Sequence, residues 1–556
     1  MGYGFGGQNM KPFVSTARFL SLLAAAVLGS ATSPATTLDT IGVTALRAMT
    51  TNLDGRGIRV AQPEAIESAG TTNFEVNPGA VGQPAGLFTY ISAGGSASNF
   101  PNALGGASGH AGNVGNYIYG TSSGVATNVA QVDNYNAEHF VTNYLFNVFT
   151  NDFSTNFGLI LAPLPAATPV VNQSFTFGNV TTNLSLLATN PNYLAVGDQQ
   201  EIDLAYDDYA AQYGTLFVSA VNNGGSVSPP GTGYNCIGVG AYGGSSSIGP
   251  TLDNGRCKPD LTAPEGATSF STPQVTGAAA VLVQAALRGD GGGDTNAAAD
   301  PRTVKALLLN GAVKPADWTN SGSSPLDARY GAGVVNVFNA YEQLAGGKQV
   351  FCASNPVALG AGHPPPAGTN AIAAGSGWDF ENLSSSATND VACHYIFEVS
   401  NVMATATLVW NRQSGATNIN NLDLFLFNVA DSSLVACSTS LVDNVEHIFM
   451  PQLAAGRYDL QVWKAGGGGL VSAGETYALA WQFVPPPRLA IAKSGADAAL
   501  AWPVYPAGFK AEARTNLLAG AWSTNQLPPP VLTNGQDVIL LGPTNGAQFF
   551  RLRQQP

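Results

Sequence analysis

The segment Gly266-Ala-Thr-Ser-Phe-Ser-Thr-Pro-Gln-Val-Thr-Gly-Ala-Ala-Ala sets a serine, Ser269, in a short polar turn just ahead of a run of small apolar residues. Pro273 follows four positions later, and proline is tolerated in a first helical turn, so the spacing predicts a helix with Ser269 at its N-terminus. Aligned N–H groups and the helix dipole at such an end favour developing negative charge. Gly277, Ala278, Ala279, Ala280, Ala285 and Ala286 allow close burial of this helix, and Gly289 is placed to cap it. A serine held on a rigid element is a candidate nucleophile, and it needs a base within hydrogen-bond reach. Only His110 and His139 precede residue 347. Acyl transfer also needs donors aimed at the oxyanion. Leu216-Phe-Val-Ser-Ala-Val reads as a buried strand and runs into the amides of Asn222 and Asn223.

These residues have to be positioned by elements visible in the pattern. Ile58 to Ala61, Pro169 to Ser174 and Thr215 to Ala220 are short apolar runs, as expected of strands buried on both faces of a parallel sheet. Between the last two, Ile202, Ala205, Tyr206, Tyr209 and Tyr213 recur at helical spacing and Gly214 follows as a cap. This is a βαβ pattern, in which polar residues just beyond the strand ends form the site. Asp203, Asp207 and Asp208 are expected on the solvated face of that helix. After Gly347 the period changes to two: Leu422, Leu424 and Leu426, then Tyr458, Leu460 and Val462, then Tyr477, Leu479, Trp481 and Phe483 alternate as half-buried antiparallel strands do. Pro485-Pro486-Pro487 is a stiff spacer before a further strand-rich stretch at Leu489 to Trp502, Phe509 to Arg514 and Val538 to Arg553.

Gly266 to Ala280 resembles the Gly-Thr-Ser-x-x-x-Pro nucleophile motif of the subtilisin-like serine peptidases, with Ala267 where glycine is usual. Ser108-Gly-His-Ala-Gly-Asn-Val-Gly is similar in part to the His-Gly-Thr-His-Val-Ala-Gly motif of that family, so the resemblance implies His110 as base, leaving His139 a structural role. Where the family carries Asp at the end of its first strand, this chain reads Arg59-Val-Ala-Gln-Pro-Glu64. Glu64 then orients His110, with Asp54 as the other candidate. The interval from Glu64 to His110 exceeds the roughly 30 residues of subtilisin and implies a loop insertion in the Gly/Asn/Ser-rich stretch. The order Glu64, His110, Ser269 is that of subtilisin and not of chymotrypsin or the α/β-hydrolases. Sedolisins also use Glu but lack a catalytic His, which this chain has. Asn222 aligns with the oxyanion asparagine. Val170-Val-Asn-Gln-Ser resembles Val-Ile-Asn-x-Ser of the family, so substrate is expected to pair as an added strand along Ser174, Phe175 and Thr176, with Ser219, Ala220 and Val221 as the facing wall. Thr176 and Val221 stand where glycine is common, which narrows the first specificity pocket toward small residues. Tyr330-Gly-Ala-Gly-Val-Val-Asn336 is similar to the Tyr-Gly-x-Gly-x-x-Asn of the family.

The fold expected is therefore α/β, a subtilisin-like three-layer domain with a parallel sheet at 38–347, a jelly-roll-like β-sandwich at 350–484 and a small β module at 488–556. Lys11 and Arg18, the apolar run Phe19 to Leu28 and Gly29-Ser30-Ala31 read as an export signal over 1–31, giving a secreted or cell-envelope protein. Ten apolar residues fall short of the ~20 needed to span a membrane. Five cysteines without a C-x-x-C pair argue against structural zinc and fit one or two disulfides, Cys236 with Cys257 being the preferred pair. A net charge of -13 without a Lys/Arg cluster excludes nucleic acid as a main partner. The partners expected are polypeptide substrates, acted on by a monomer that needs no cofactor. Structural calcium is common in the family, but no Asp-rich ligand run is evident. The room for a folding propeptide is short. Two further readings remain: a binding or adhesion protein on a decayed peptidase domain, and an esterase.

Overall fold

The computed structural model describes residues 36–67, 70–151, 154–190, 192–366, 370–495, 497–543 and 546–556, so the expected export segment lies outside the described residues. Eight strands form the central sheet: β1 (Arg59–Glu64), β2 (Phe88–Ser92), β3 (Gly95–Ala97), β4 (Gln131–Asn136), β5 (Val170–Gln173), β6 (Leu216–Ala220), β7 (Ile237–Tyr242) and β8 (Leu261–Pro264). Their order is β8-β7-β6-β5-β1-β4-β2-β3. All neighbours are parallel except the edge pair β2–β3. The apolar runs become strands because both faces are covered: every residue of β5 and β6 is buried. The interval between Glu64 and His110 is not the plain loop expected. It holds β2 and β3 together with a short parallel pair of Asn73–Glu75 and Gly106–Ala107, which extend and flank the sheet.

Helices α1 (Gly109–Ile118), α2 (Val196–Tyr213) and α3 (Thr268–Leu287) are the ones that flank the site, and Pro301–Asn310 and Val337–Ala345 pack against α3. α3 is buried along nearly its whole length; its polar first turns are hydrogen-bonded and Gly277 to Ala286 is apolar except for Gln284. Its Gly277 lies so near Val125 that a β-carbon there would sit 2.6 Å from that side chain's Cβ. Pro273 is at the sixth helical position rather than in the first turn, because α3 already begins at Thr268. α3 ends at Leu287, and Gly289 takes the left-handed conformation (φ +86°) two residues later.

Two antiparallel sheets follow, one of five strands and one of four. Leu424, Leu426, Leu460 and Val462 from the first share one apolar cluster with Leu479, Trp481, Phe483 and Trp410 from the second. Residues 36–486, with 505–509 and 554–556, form one compact unit; Pro487–Val504 and Lys510–Arg553 belong to a second, which contains a four-stranded antiparallel sheet.

Two expectations are corrected here. Asp203, Asp207 and Asp208 are buried, not solvated. Asp203 pairs with Arg256 at 2.7 Å, and Asp207 accepts from the N–H groups of Tyr234 (3.1 Å) and Asn235 (2.7 Å) and pairs with Arg412 at 2.8 Å. Asp208 accepts from the Gly415 N–H at 2.8 Å. This flank of α2 is thus covered by charged and polar groups, two of them from the antiparallel part of the same unit. The Cys236–Cys257 disulfide is not formed: all five thiols are free, and Cys236 donates to the carbonyls of Pro230 and Gly233. Burial pushes the Cys236 thiol up to about 12, far from a reactive thiolate.

Candidate active site

β1 ends in Glu64, whose side chain is 2% exposed. α1 begins where Ser108 caps it through the Ala111 N–H, and this sets His110 in the first turn. The two meet: His110 Nδ1 lies 2.9 Å from Glu64 Oε2. The other candidate acid, Asp54, is engaged by Arg56 and Asn128 instead. Burial alone would lower the His110 pKa, but the Glu64 hydrogen bond and the charges of Glu64 and Glu67 outweigh it and raise it above the ordinary histidine value. His139 stands in a short helix after β4, where Asn143 bonds its ring, and is not drawn into this group.

Ser269 is the second residue of α3, and the α1–α3 packing brings the Phe270 ring to 5.9 Å from that of His110. The Ser269 hydroxyl donates to the Ser174 carbonyl at 3.2 Å rather than to His110. Pro273 explains a second bond at this place. Lacking an N–H, it leaves the Ser269 carbonyl without its helical donor, and the Ser174 hydroxyl supplies one at 2.9 Å. By its spacing alone Pro273 is a helix-start signal; its role in tying Ser269 to Ser174 shows only when the two segments meet.

Asn222 follows β6 in a left-handed conformation (φ +93°), which asparagine tolerates better than most residues. Its Nδ2 donates to Asn179 Oδ1 at 2.8 Å and makes a long bond, 3.5 Å, to the Ser228 hydroxyl with its second hydrogen. Asn223 instead accepts from the Thr268 N–H (2.8 Å) and hydroxyl (2.9 Å), capping the helix that carries Ser269. Asn179 and the capping role of Asn223 carry no sequence signal, because each depends on a partner 43 or 45 positions away.

Ser174, Phe175 and Thr176 continue from β5, adjacent in the sheet to β6, which leads into Val221. Phe175 stacks edge-on with Phe177 at 5.9 Å. Ser219 is buried and bonds Gln173, and Ala220 is buried in β6. The Val221 side chain turns toward Gly231 and Gly238, where added β-carbons would each lie 3.0 Å from its Cγ1. Among the described residues no group of three or more His, Cys, Asp or Glu side chains is gathered as a metal cage. No helix of the described residues is long and apolar enough to cross a membrane.

A parallel α/β sheet with a serine at the N-terminus of a buried helix places this part of the chain among the subtilisin-like α/β folds. The sequence model of the Subtilase family (Peptidase_S8) matches residues 160–333, the segment bearing Asn222 and Ser269. The solved structure of the prenylagaramide maturation protease PagA is similar at 18% identity, covering 55% of this chain and 98% of its own, with a TM-score of 0.33. That of the self-cleaved protease domain of PatA is similar at 20% identity, covering 52% and 98%, with a TM-score of 0.30. A search of the curated proteins finds no match.

Proposed function

We propose that the chain is an exported serine endopeptidase that cleaves polypeptides through an acyl-enzyme on Ser269. The observation that carries this reading is the 2.9 Å bond between His110 and a buried Glu64, made beside the helix end that holds Ser269. His110 Nε2 takes the Ser269 proton as Oγ attacks the scissile carbonyl, and Glu64 stabilises the imidazolium. The oxyanion is met by Asn222 Nδ2, which gives up its long 3.5 Å bond to the Ser228 hydroxyl, and by N–H groups at the start of α3. His110 returns the proton to the departing amine, and water then releases the acyl group by the same route. Apo sites often hold such contacts long or misaligned, so closing the Ser269–His110 bond falls to substrate pairing along Ser174–Thr176. The two antiparallel sheets serve as a jelly-roll-like sandwich module fixed to the catalytic part, and small residues are preferred in the first specificity pocket.

One observation favours the other reading, a binding protein on an inactive peptidase domain: the Ser269 hydroxyl is spent on Ser174. Labelling with a fluorophosphonate probe separates the two. Covalent modification at Ser269, lost in Ser269→Ala, is the expected result. An unlabelled wild-type protein, correctly folded, would overturn the enzyme reading.

A further inference from the structure

The group behind Glu64 is built from residues that the triad itself does not include. Gln62 lies two positions before Glu64 on β1, so both side chains leave the same face of the sheet, over which α1 packs. Gln62 is fully buried. Its Nε2 donates to Glu64 Oε1 at 2.9 Å and to the Ala111 carbonyl at 3.0 Å. Its Oε1 accepts from the Tyr119 hydroxyl. The orientation of the amide is therefore not free. The Ala111 carbonyl can only accept, so the nitrogen must face it, and the oxygen is left for Tyr119. Tyr119 is fully buried, at the far end of α1, and its ring folds back over Gly115, where an added β-carbon would sit 2.6 Å from the phenolic oxygen.

Glu64 thus has one oxygen directed at His110 and the other at Gln62. A carboxylate with only the histidine contact could rotate about its terminal bond, since that torsion is soft. With both oxygens engaged it cannot do so without breaking a buried hydrogen bond. We propose that Gln62, locked by Ala111 and Tyr119, is a positioning residue that aims Glu64 at His110. This rests on the reading of Glu64 and His110 as acid and base.

The charged and titratable groups around the pair are few. From β1 and the turn after it, Glu64 and Glu67 face His110; from α1, Tyr119 faces Glu64; from β2, Tyr90 faces Tyr119; α3 contributes the uncharged Ser269 and Phe270. No cation stands among these neighbours to replace Gln62 as a donor to Glu64.

Two substitutions in the full chain test the proposal. Gln62→Leu keeps the bulk and removes the donor. A misplacement of the acid by about 1 Å costs roughly 100-fold in kcat. The acid limb of the pH–rate profile should move to lower pH, because His110 loses part of the interaction that raises its pKa. Gln62→Glu places a second carboxyl beside the first. Such a pair shares one proton, so the bond to Glu64 survives only while that proton is present, and kcat should fall as pH rises through the pair's upper pKa. Neither pH signature follows from a loss of packing alone. The His110 ring titration followed by NMR reads the same shift whether or not the chain hydrolyses peptides, so failure of this proposal is separable from failure of the enzyme reading. Gln62→Leu and Gln62→Glu variants that both keep the wild-type His110 pKa and pH profile would overturn it, whatever their stability.

Discussion

Replacing Glu64 by Gln tests the acid's role most severely, because the structure dictates what the new amide can do. The two oxygens of Glu64 each face a donor: His110 Nδ1 on one side and Gln62 Nε2 on the other. A glutamine has only one acceptor end. If its oxygen faces Gln62, its NH2 faces His110 Nδ1, which must then be unprotonated, and the ring carries its proton on Nε2, where it cannot accept from Ser269. If instead the oxygen faces His110, two NH2 groups oppose each other unless Gln62 flips. Flipping sets Gln62 Oε1 against the Ala111 carbonyl and leaves buried acceptors unpaired, at about 1–3 kcal/mol each. The wrong tautomer is therefore the cheaper state. The corresponding Asp→Asn change in the chymotrypsin template costs about 10⁴ in kcat, equivalent to about 5.5 kcal/mol of barrier. A loss approaching that size is expected for Glu64→Gln, read as kcat on a chromogenic peptide and as the rate of fluorophosphonate labelling. Glu64→Asp keeps the charge but shortens the reach, and should retain partial activity. Equal turnover by wild type and Glu64→Gln would refute the assignment of Glu64, and with it the tautomer argument.

Further predictions concern the oxyanion donor, the base and the fold. Asn222→Ala should lose about 10²–10³ in kcat with little change in KM, since its amide acts on the oxyanion rather than the ground state; a kcat near wild type would mean another donor fills the hole. His110 works only when neutral, and its pKa is raised by Glu64 and Glu67 against burial, so activity should fall away as pH drops through a midpoint above the ordinary histidine value. Glu67→Gln should move that midpoint down by about 0.1–0.7 pH unit, the range expected of an exposed charge, and an unmoved midpoint would exclude Glu67 from the field at His110. Asp207→Ala leaves the buried Arg412 guanidinium without its carboxylate and should cost about 3–5 kcal/mol in denaturant unfolding, whereas Asp207→Leu with Arg412→Met should lose less; a single mutant as stable as wild type would show that the pair is not what joins α2 to the antiparallel sheets.

Local sequence was sufficient for features that depend on neighbours a few positions apart. The apolar runs of β5 and β6, the cap at Gly214, the alternation from Leu422 to Phe483 and the small-residue helix behind Ser269 were all legible, because strand and helix periods and cap chemistry act over a turn or a pleat. Glu64 could be placed at a strand end in the same way. What the acid would touch was not a local matter: His110 comes from another element 46 positions on, and Asp54, the second candidate, is engaged by Arg56 and Asn128 in the fold. Asp203, Asp207 and Asp208 show the limit most clearly. Their spacing on α2 reads as a solvated face, yet Arg256 arrives from 53 positions away, and Arg412 and Gly415 from over 200, to take them inside. Burial of a charge is decided by whether a partner is delivered to it, and only the tertiary structure delivers Arg256, Arg412 and the Gln62–Tyr119 lock on Glu64.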